Sequence, residues 1–141
     1  MTISSGRCII SEYICVELEI DDADTIKETL RELGFQYEEH EIPTNLMGWH
    51  GDRRKQLANI IVRRKHISSA SNDVGFLKKA NGKYELIISE YDRRIAKGML
   101  FTKKFKQIYV TKQAKKYLKK KGYKLKKQKV EKDGTIELRF A

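Results

Sequence analysis

The chain has 141 residues, of which 40% are hydrophobic and 35% are charged. This length and composition predict one soluble globular domain with its own apolar core, and they exclude a collagen-like fibre and an unstructured tail. No stretch approaches the roughly eighteen apolar residues of a membrane-spanning helix, and residues 1–7 lack the pattern of a secretion signal, so we expect an intracellular protein.

The formal net charge of +11 is concentrated in one segment of the chain. Residues 103–129 hold thirteen lysines and no aspartate or glutamate, whereas residues 1–102 sum to −1. A block of one sign raises the local concentration of polyanions and speeds their capture, whatever fold lies beneath it. The charge distribution therefore predicts a negatively charged partner.

The first predicted elements are a strand, a helix and a second strand. Alternating apolar and polar residues predict a strand over residues 9–20, and helical spacing predicts a helix over residues 23–33 that Asp22 caps. Gly34 ends this helix because glycine readily adopts the left-handed conformation found there, and Phe35–Ile42 is predicted as the next strand.

The middle of the chain predicts a long loop and then a hairpin. Residues 43–56 show no periodicity and hold the only proline and the only tryptophan, which is typical of a functional or mobile loop. A strand follows over residues 57–67. Two further strands, 74–80 and 83–90, are joined by Asn81-Gly82, a pair typical of a two-residue hairpin turn.

After Asp92 the pattern becomes helical, and its apolar side changes partway along. One side carries Phe101, Phe105, Ile108 and Tyr109, and the nearly opposite side carries Val110, Ala114, Tyr117 and Leu118. Two interpretations stay open: the helix breaks near residues 109–111 with Thr111 as a new cap, or it is buried on two sides.

The C-terminal segment predicts a helix end and a last hairpin. Gly122 ends the helix, residues 123–131 form a strand, and Asp133-Gly134 turns the chain into a final strand that contains Ile136, Leu138 and Phe140.

The two cysteines and three histidines predict neither a disulfide nor a metal site. Cys8 and Cys15, placed seven residues apart on one extended strand, are too distant to bond, so we expect free thiols. The histidines His40, His50 and His66 are scattered rather than spaced as metal ligands. We therefore predict no metal and no cofactor.

Together these elements predict an α+β fold of two layers, with a mostly antiparallel sheet of about seven strands and two main helices. The order strand, helix, strand, strand occurs in residues 9–67 and again in residues 83–140. Each helix is followed by a glycine and then an aromatic residue. We hypothesise a βαββ duplication within a single globular domain over residues 1–141.

The lysine block contains the first candidate site, a nucleic-acid-binding surface. Helical lysines lie opposite the apolar stripe, and Tyr109, Tyr117 and Tyr123 are interleaved as candidate stacking residues. A solvated helix face would show the same spacing, although such faces normally mix both signs of charge. The predicted binding residues are Lys112, Lys115, Lys116, Lys119, Lys120, Lys124, Lys126 and Lys127.

A second candidate site lies in the predicted loop, where aromatic and cationic side chains occur together as Trp49, His50, Arg53 and Arg54. Such a set suits a phosphorylated ligand or a base. The alternative is that Trp49 simply pins the loop to the core.

Catalysis has the weakest support in the sequence. The recognisable nucleophile-elbow, phosphate-loop, dinucleotide-binding and zinc motifs are all missing. The remaining arrangements are Glu90 with Asp92 as paired acids, and His66 as a base near the serines at positions 68, 69 and 71. We predict no catalytic residues.

Several short segments resemble a known family. They are Gly34-Phe35, Asn72-Asp73-Val74-Gly75-Phe76, Tyr84–Ser89, Gln107-Ile108-Tyr109, Lys121-Gly122-Tyr123 and Asp133–Leu138. As a set, over about residues 11–140, they are similar to the conserved hypothetical chloroplast reading frame thirty-five family, also classed as domain of unknown function twelve fifty-seven. The resemblance implies a small cytosolic or plastid-type protein, with relatives in prokaryotes and some viruses. It implies no catalytic residues, and it suggests an ATPase of the AAA class as partner.

The sequence favours a small, basic, non-enzymatic module that contacts RNA or a ribonucleoprotein in the cytoplasm, the plastid stroma or a virus-infected cell. One alternative is an adaptor for a protein partner such as an AAA-class ATPase, which would use Glu17, Glu19, Glu38, Glu39 and Glu41. A second alternative is a phosphate-handling enzyme centred on His50 or His66.

Overall fold

A computed structural model of the chain describes residues 2–4, 7–10, 14–17, 20–68, 71–89, 96–130 and 136–141. The chain divides into two compact units. Residues 20–102 form one, here called the central unit, and residues 1–19 with 103–141 form the other, here called the terminal unit. The predicted α+β class with antiparallel strands is confirmed, but the strands form two sheets instead of one.

Eleven helices and strands occur among the described residues. They are β1 (Thr2–Ser4), β2 (Arg7–Ile10), β3 (Ile14–Glu17), α1 (Ala23–Glu32), β4 (Glu38–Met47), β5 (Arg53–Val62), β6 (Val74–Lys78), β7 (Tyr84–Ile87), α2 (Ala96–Lys120), β8 (Leu125–Val130) and β9 (Ile136–Phe140). A short 3-10 helix covers Arg64–His66. The predicted count of about seven strands is wrong: in the described part of the chain, β1–β3 precede residue 20 and six strands follow it.

Helix α1 begins and ends where the sequence predicts. The Asp22 carboxylate accepts hydrogen bonds from the Thr25 backbone N–H at 3.2 Å and from its hydroxyl at 2.8 Å. Gly34 follows the last turn with φ of +82°, in the left-handed region. The face turned to the core contains Thr25, Ile26, Thr29 and Leu30.

The predicted loop over residues 43–56 is wrong, because β4 and β5 form a hairpin with a tight turn at 48–52. Pro43 hides this strand in the sequence, since proline lacks the N–H that a central strand needs. In the structure β4 is an edge strand, and its register with β5 shifts between Glu39 and Thr44, so the proline is tolerated. The strand predicted over residues 57–67 accordingly begins at Arg53 and ends at Val62.

The four-stranded sheet of the central unit has the order β4-β5-β6-β7, and it curls so that the end of β4 reaches the residue before β6. The backbone N–H of Met47 donates to the Asp73 carboxylate at 2.8 Å, and the Met47 carbonyl accepts from the Asp73 N–H at 3.0 Å. Gly75 permits this closeness, because a Cβ there would overlap the Cβ of Ala58 and crowd Leu46. The curl places Asp73 at the tip of the β4–β5 hairpin.

The hairpin predicted at Asn81-Gly82 is confirmed, with shorter strands β6 and β7 and a different turn. The Gly82 N–H donates to the Lys79 carbonyl at 3.0 Å, and the Lys79 N–H donates to the Lys83 carbonyl at 2.8 Å. With Gly82 at φ of +82°, this is the pattern of a three-residue loop and not of the predicted two-residue turn.

The sheet of the terminal unit has the order β3-β2-β1-β9-β8. The single strand predicted over residues 9–20 is wrong, because β2 and β3 pair antiparallel around Ile10 and Ile14; residues 11–13 and 18–19 lie outside the described residues. Cys8 is opposite Val16, and Cys15 is opposite Ile9. The cysteines therefore lie on neighbouring strands and not on one.

Helix α2 runs without a break from Ala96 to Lys120, so the predicted break near residues 109–111 is wrong and burial on two sides is confirmed. The Thr111 hydroxyl donates to the Gln107 carbonyl at 2.7 Å within the helix, instead of capping a new one. Val110 and Ala114 pack against Ile136 and Leu138 of β9. The predicted strands β8 and β9 are confirmed, and the Asp133-Gly134 turn between them lies outside the described residues.

Both helices end with the same hydrogen bond. After α1 the Phe35 N–H donates to the Leu30 carbonyl at 2.9 Å, and after α2 the Tyr123 N–H donates to the Leu118 carbonyl at 3.0 Å. This glycine-containing cap is common among helices, so the βαββ duplication stays a prediction. Neither helix is long and apolar enough over its described residues to cross a membrane.

Candidate nucleic-acid interface

The second half of α2 carries a face made of lysine, here called the lysine face, which consists of Lys112, Lys115, Lys116, Lys119 and Lys120. At 100° per residue these five positions span about 140° of the helix circumference, and they lie opposite Val110 and Ala114. Lys116, Lys119 and Lys120 are exposed, while Lys112 and Lys115 are partly exposed. The lysine face therefore turns away from the apolar contact between α2 and β9.

The lysine face begins where α2 changes its buried side. Phe105 and Tyr109 occupy nearly the same side of the helix as Lys112, and both are buried, at 0% and 1% exposure. From Val110 onward the buried side is the opposite one. The shift of the apolar residues from one side of the helix to the other, seen in the sequence, therefore means that the same side of α2 is buried before residue 110 and exposed after it.

The structure brings five of the eight predicted lysines together on α2, and it places Lys127 on a different surface. Gln128 of β8 accepts a hydrogen bond from the Lys115 ammonium at 2.7 Å, so it faces the helix. Its neighbour Lys127 then lies on the opposite face of the β8–β9 hairpin, since side chains alternate along a strand. Lys126 lies at an irregularity in the β8–β9 register, and the Lys124 backbone pairs with Ala141 at 3.0 Å.

A carboxylate of the terminal unit lies on the far face of that hairpin. Glu137 is opposite Lys129 in the β8–β9 register, and its side chain accepts from Arg139 at 2.7 Å. The hydrogen bond from Arg139 lowers the pKa of Glu137 below its ordinary value.

Residues 93–130 contain no aspartate or glutamate, so α2 itself offers no acidic partner one turn away from its lysines.

The three candidate stacking tyrosines have different environments. Tyr109 is buried, and its hydroxyl accepts from the Gln113 amide at 3.0 Å, so its proposed stacking role is wrong. Tyr117 and Tyr123, at the C-terminal end of α2, are 55% and 50% exposed. The Lys121 ammonium lies 5.7 Å from the centre of the Tyr117 ring. Tyr117 shares the side of α2 that carries Val110 and Ala114, so its accessible ring lies near the C-terminal end of the helix, beside Lys121, and not on the lysine face.

The second candidate site is the tight turn between β4 and β5. Trp49 is 48% exposed, so the alternative that its ring pins the segment to the core is wrong. The rings of Trp49 and His50 lie against each other, with centroids 3.5 Å apart and planes at 36°. Both arginines are held within the hairpin: Arg53 donates to the Asn45 side-chain oxygen at 2.9 and 2.7 Å, and Arg54 pairs with Asp52 at 3.1 Å.

Sequence reasoning missed the polar pair that organises this turn. Asn72 and Asp73 are buried, at 6% and 2% exposure, directly before the apolar strand β6. The Asn72 side-chain oxygen Oδ1 accepts from the Trp49 backbone N–H at 2.9 Å, and the side-chain amide Nδ2 donates to the Ser89 hydroxyl at 3.0 Å. The signal was present, since two polar residues that directly precede a buried strand need partners. In the sequence the two residues stand out only as part of a family motif.

Asp73 joins three segments of the central unit. Its Oδ1 accepts from the Arg64 backbone N–H at 2.7 Å, and its Oδ2 accepts from the Met47 N–H and from the Arg63 guanidinium at 2.7 Å. Arg63 also donates to both oxygens of Glu38, at 2.7 and 2.9 Å. An open pocket of about 90 Å³ lies beside Asn72 and Asp73.

The catalytic candidates are only partly within the described residues. Glu90, Asp92 and Ser69 lie outside them. Ser71 is 1% exposed, so its hydroxyl is closed to a substrate, and its carbonyl accepts from Arg64 at 3.2 Å. His66 ends the 3-10 helix. Among the described residues, no group of three or more histidine, cysteine, aspartate or glutamate side chains is arranged to hold a metal ion.

Two of the five glutamates predicted for an acidic docking surface already form ion pairs within the protein. Glu38 binds Arg63 and accepts from His40 at 2.9 Å, and Glu39 binds Lys27 at 3.2 Å. Glu41 is exposed, Glu17 lies in β3, and Glu19 is outside the described residues. The acidic pattern of the sequence is thus used in part to hold β4 to its neighbours.

We expect the Glu38–Arg63 pair to make stability depend on pH in the acid range. The two hydrogen bonds from Arg63 lower the pKa of Glu38 from 4.5 to about 2, against the effect of burial. A carboxyl with a lowered pKa stabilises the fold above its unfolded-state value, and this contribution is lost as the pH falls from 4.5 toward 2. In urea unfolding near neutral pH, the free energy of unfolding of wild type should exceed that of Glu38→Gln by an amount that does not depend on pH. The difference should become smaller as the pH falls from 4.5 toward 2. A margin independent of pH would contradict the prediction.

Comparison with known protein families gives a match over most of the chain. A family model described as a protein of unknown function, DUF1257, matches residues 29–139, which confirms the resemblance to domain of unknown function twelve fifty-seven. The match does not carry the chloroplast reading-frame name. No curated protein and no solved structure matches the chain.

Proposed function

The chain belongs to the DUF1257 family, whose members are described as proteins of unknown function, and we propose that this member binds single-stranded nucleic acid, RNA above all, through the lysine face of α2. One observation supports this proposal more than any other. Five lysines share one side of a helix within a stretch of 38 residues, 93–130, that contains no carboxylate. A polyanion that lies along this side would be attracted by every cation and repelled by no acid of the helix.

The chemistry of lysine favours contacts to the phosphate backbone over recognition of bases. An ammonium group is a point charge with rotatable donors, so it binds phosphates without the planar fork by which arginine reads guanine. The binding is therefore expected to depend weakly on sequence and strongly on salt.

The exposed tyrosines favour a single strand over a duplex. Tyr117 and Tyr123 present accessible rings near the C-terminal end of α2, and unpaired bases can stack on such rings, whereas the bases of a duplex are already stacked. The test is fluorescence anisotropy of a labelled single-stranded RNA and of a duplex of equal length over a series of salt concentrations. We expect tighter binding of the single strand and a linear fall of log affinity with log salt. A salt-independent affinity would overturn the proposal.

Replacing both Tyr117 and Tyr123 by alanine is expected to weaken binding of single-stranded RNA by about 1–3 kcal/mol for each base that loses a stacking partner. Duplex binding should stay unchanged, because the lysines remain. The matched control is the double phenylalanine variant, which keeps both rings and should bind nearly as wild type does. Equal losses in the alanine and phenylalanine variants would show that the hydroxyl groups and not the rings matter.

A further inference from the structure

We infer that the turn between β4 and β5 is a stacking site for a nucleobase, supplied either by a free nucleotide or by single-stranded nucleic acid. The site consists of residues 48–55 of the central unit, so it is formed by residues other than the lysine face. Three features carry the inference: the exposure of Trp49, the way its backbone is held, and the charges beside it.

Trp49 presents an aromatic surface that the fold leaves partly uncovered. Trp49 is 48% exposed even though the His50 ring lies against the indole, with ring centroids 3.5 Å apart. Indole is the largest aromatic side chain, and half-exposing it forgoes much of the stabilisation that burial would give. The imidazole supports the indole from one side, which restricts the orientation of the ring.

The turn does not need the indole to hold its shape, because the backbone is fixed by other groups. The Trp49 N–H donates to the buried Asn72 side chain at 2.9 Å, and the Trp49 carbonyl accepts from the Arg64 guanidinium at 2.6 Å. The Gly48 N–H donates to the Asp52 carbonyl at 2.7 Å and closes the turn. The exposed ring is therefore presented by a preorganised backbone, which lowers the entropy cost of binding a flat ligand.

The charge beside the ring favours a base that carries a phosphate over an apolar peptide. Arg53 and Lys55 are exposed at the start of β5, directly after the turn. The Asn45 side-chain oxygen orients the Arg53 guanidinium through two hydrogen bonds, at 2.9 and 2.7 Å. Asp52 is the single acid in residues 48–55, and it pairs with Arg54.

The test uses the fact that the chain of 141 residues contains one tryptophan, so it gives one indole N–H resonance in a nitrogen-15 correlation spectrum. The probes are adenosine monophosphate, uridine monophosphate and a short oligoadenylate. A saturable ring-current shift with the monophosphates assigns the site to free nucleotides as well as strands, and a shift with the oligoadenylate alone assigns it to strands. If none of the three shifts the indole resonance saturably, the inference is overturned.

Variants separate the ring from its surroundings. Trp49→Ala is expected to lower the affinity for the probe that binds wild type by roughly 5- to 150-fold, the range for loss of one stacking partner. Binding to this variant is followed on the backbone amide resonances of the turn. Trp49→Phe should keep part of the affinity, and Ile42→Ala, which truncates an 80% exposed residue of β4, should keep all of it. Unchanged affinity in a folded Trp49→Ala protein would overturn the inference. The lysine face is not needed for the monophosphate shift, which should persist when its lysines are replaced by glutamine.

Discussion

Replacing Asp73 by alanine is expected to lower the free energy of unfolding of the central unit by about 3–5 kcal/mol. The carboxylate is buried, and it accepts from two backbone N–H groups, of Met47 and Arg64, and from the Arg63 guanidinium. Alanine would leave both N–H groups without that acceptor and would remove one of the two carboxylates that bind Arg63. A buried donor that loses its acceptor costs about 1–3 kcal/mol, and a buried cation that loses a partner costs more.

The measurement is chemical unfolding followed by fluorescence, because Trp49 is the single tryptophan and its backbone is bonded to Asn72, the neighbour of Asp73. Asp24→Ala is the matched control. It removes the same group from a side chain that is 82% exposed and pairs with Lys27 at 3.5 Å, so it should cost no more than about 1 kcal/mol. Equal losses in the two variants would show that Asp73 does not hold the hairpin as described.

The parts of the fold that could be predicted from the sequence are those in which local signals and packing agree. The ends of α1 could be predicted from Asp22 and Gly34, because a capping side chain and a glycine in the left-handed conformation act within one turn of the chain. The β4–β5 hairpin could not be predicted because Pro43 breaks the local pattern, and its tolerance depends on β4 being an edge strand with a register shift. Edge position is a property of the whole sheet, which no short window of sequence contains.

The candidate site shows the same division. The helical spacing of Lys112 and Lys116 predicts a shared side, and the structure places them so. The separation of Lys127 depends on the β8–β9 register and on the Lys115–Gln128 contact, both of which are tertiary features. Helical spacing places Tyr109 and Tyr117 on opposite sides of α2, but only the tertiary packing decides that Tyr109 is buried and Tyr117 is exposed.

Replacing four lysines of the lysine face, Lys115, Lys116, Lys119 and Lys120, by glutamine is expected to make RNA binding weaker and much less sensitive to salt. Each phosphate contact to a single strand contributes about 0.7 to the slope of log affinity against log salt, so loss of four contacts should reduce the slope by about 3. Glutamine keeps the helix propensity and most of the side-chain length, so α2 should remain folded.

The decisive comparison keeps the net charge the same and moves the loss of charge elsewhere. Glutamine at Lys65, Lys78, Lys79 and Lys83, four exposed lysines of the central unit, also removes four positive charges. If binding follows the lysine face, this second variant should keep nearly the wild-type slope, because those residues make no phosphate contact. If the slope of log affinity against log salt falls equally in the two variants, binding depends on the net charge of +11 and the lysine face has no special role. Because both proteins carry the same charge, the difference between their slopes measures the contribution of the arrangement on α2 alone.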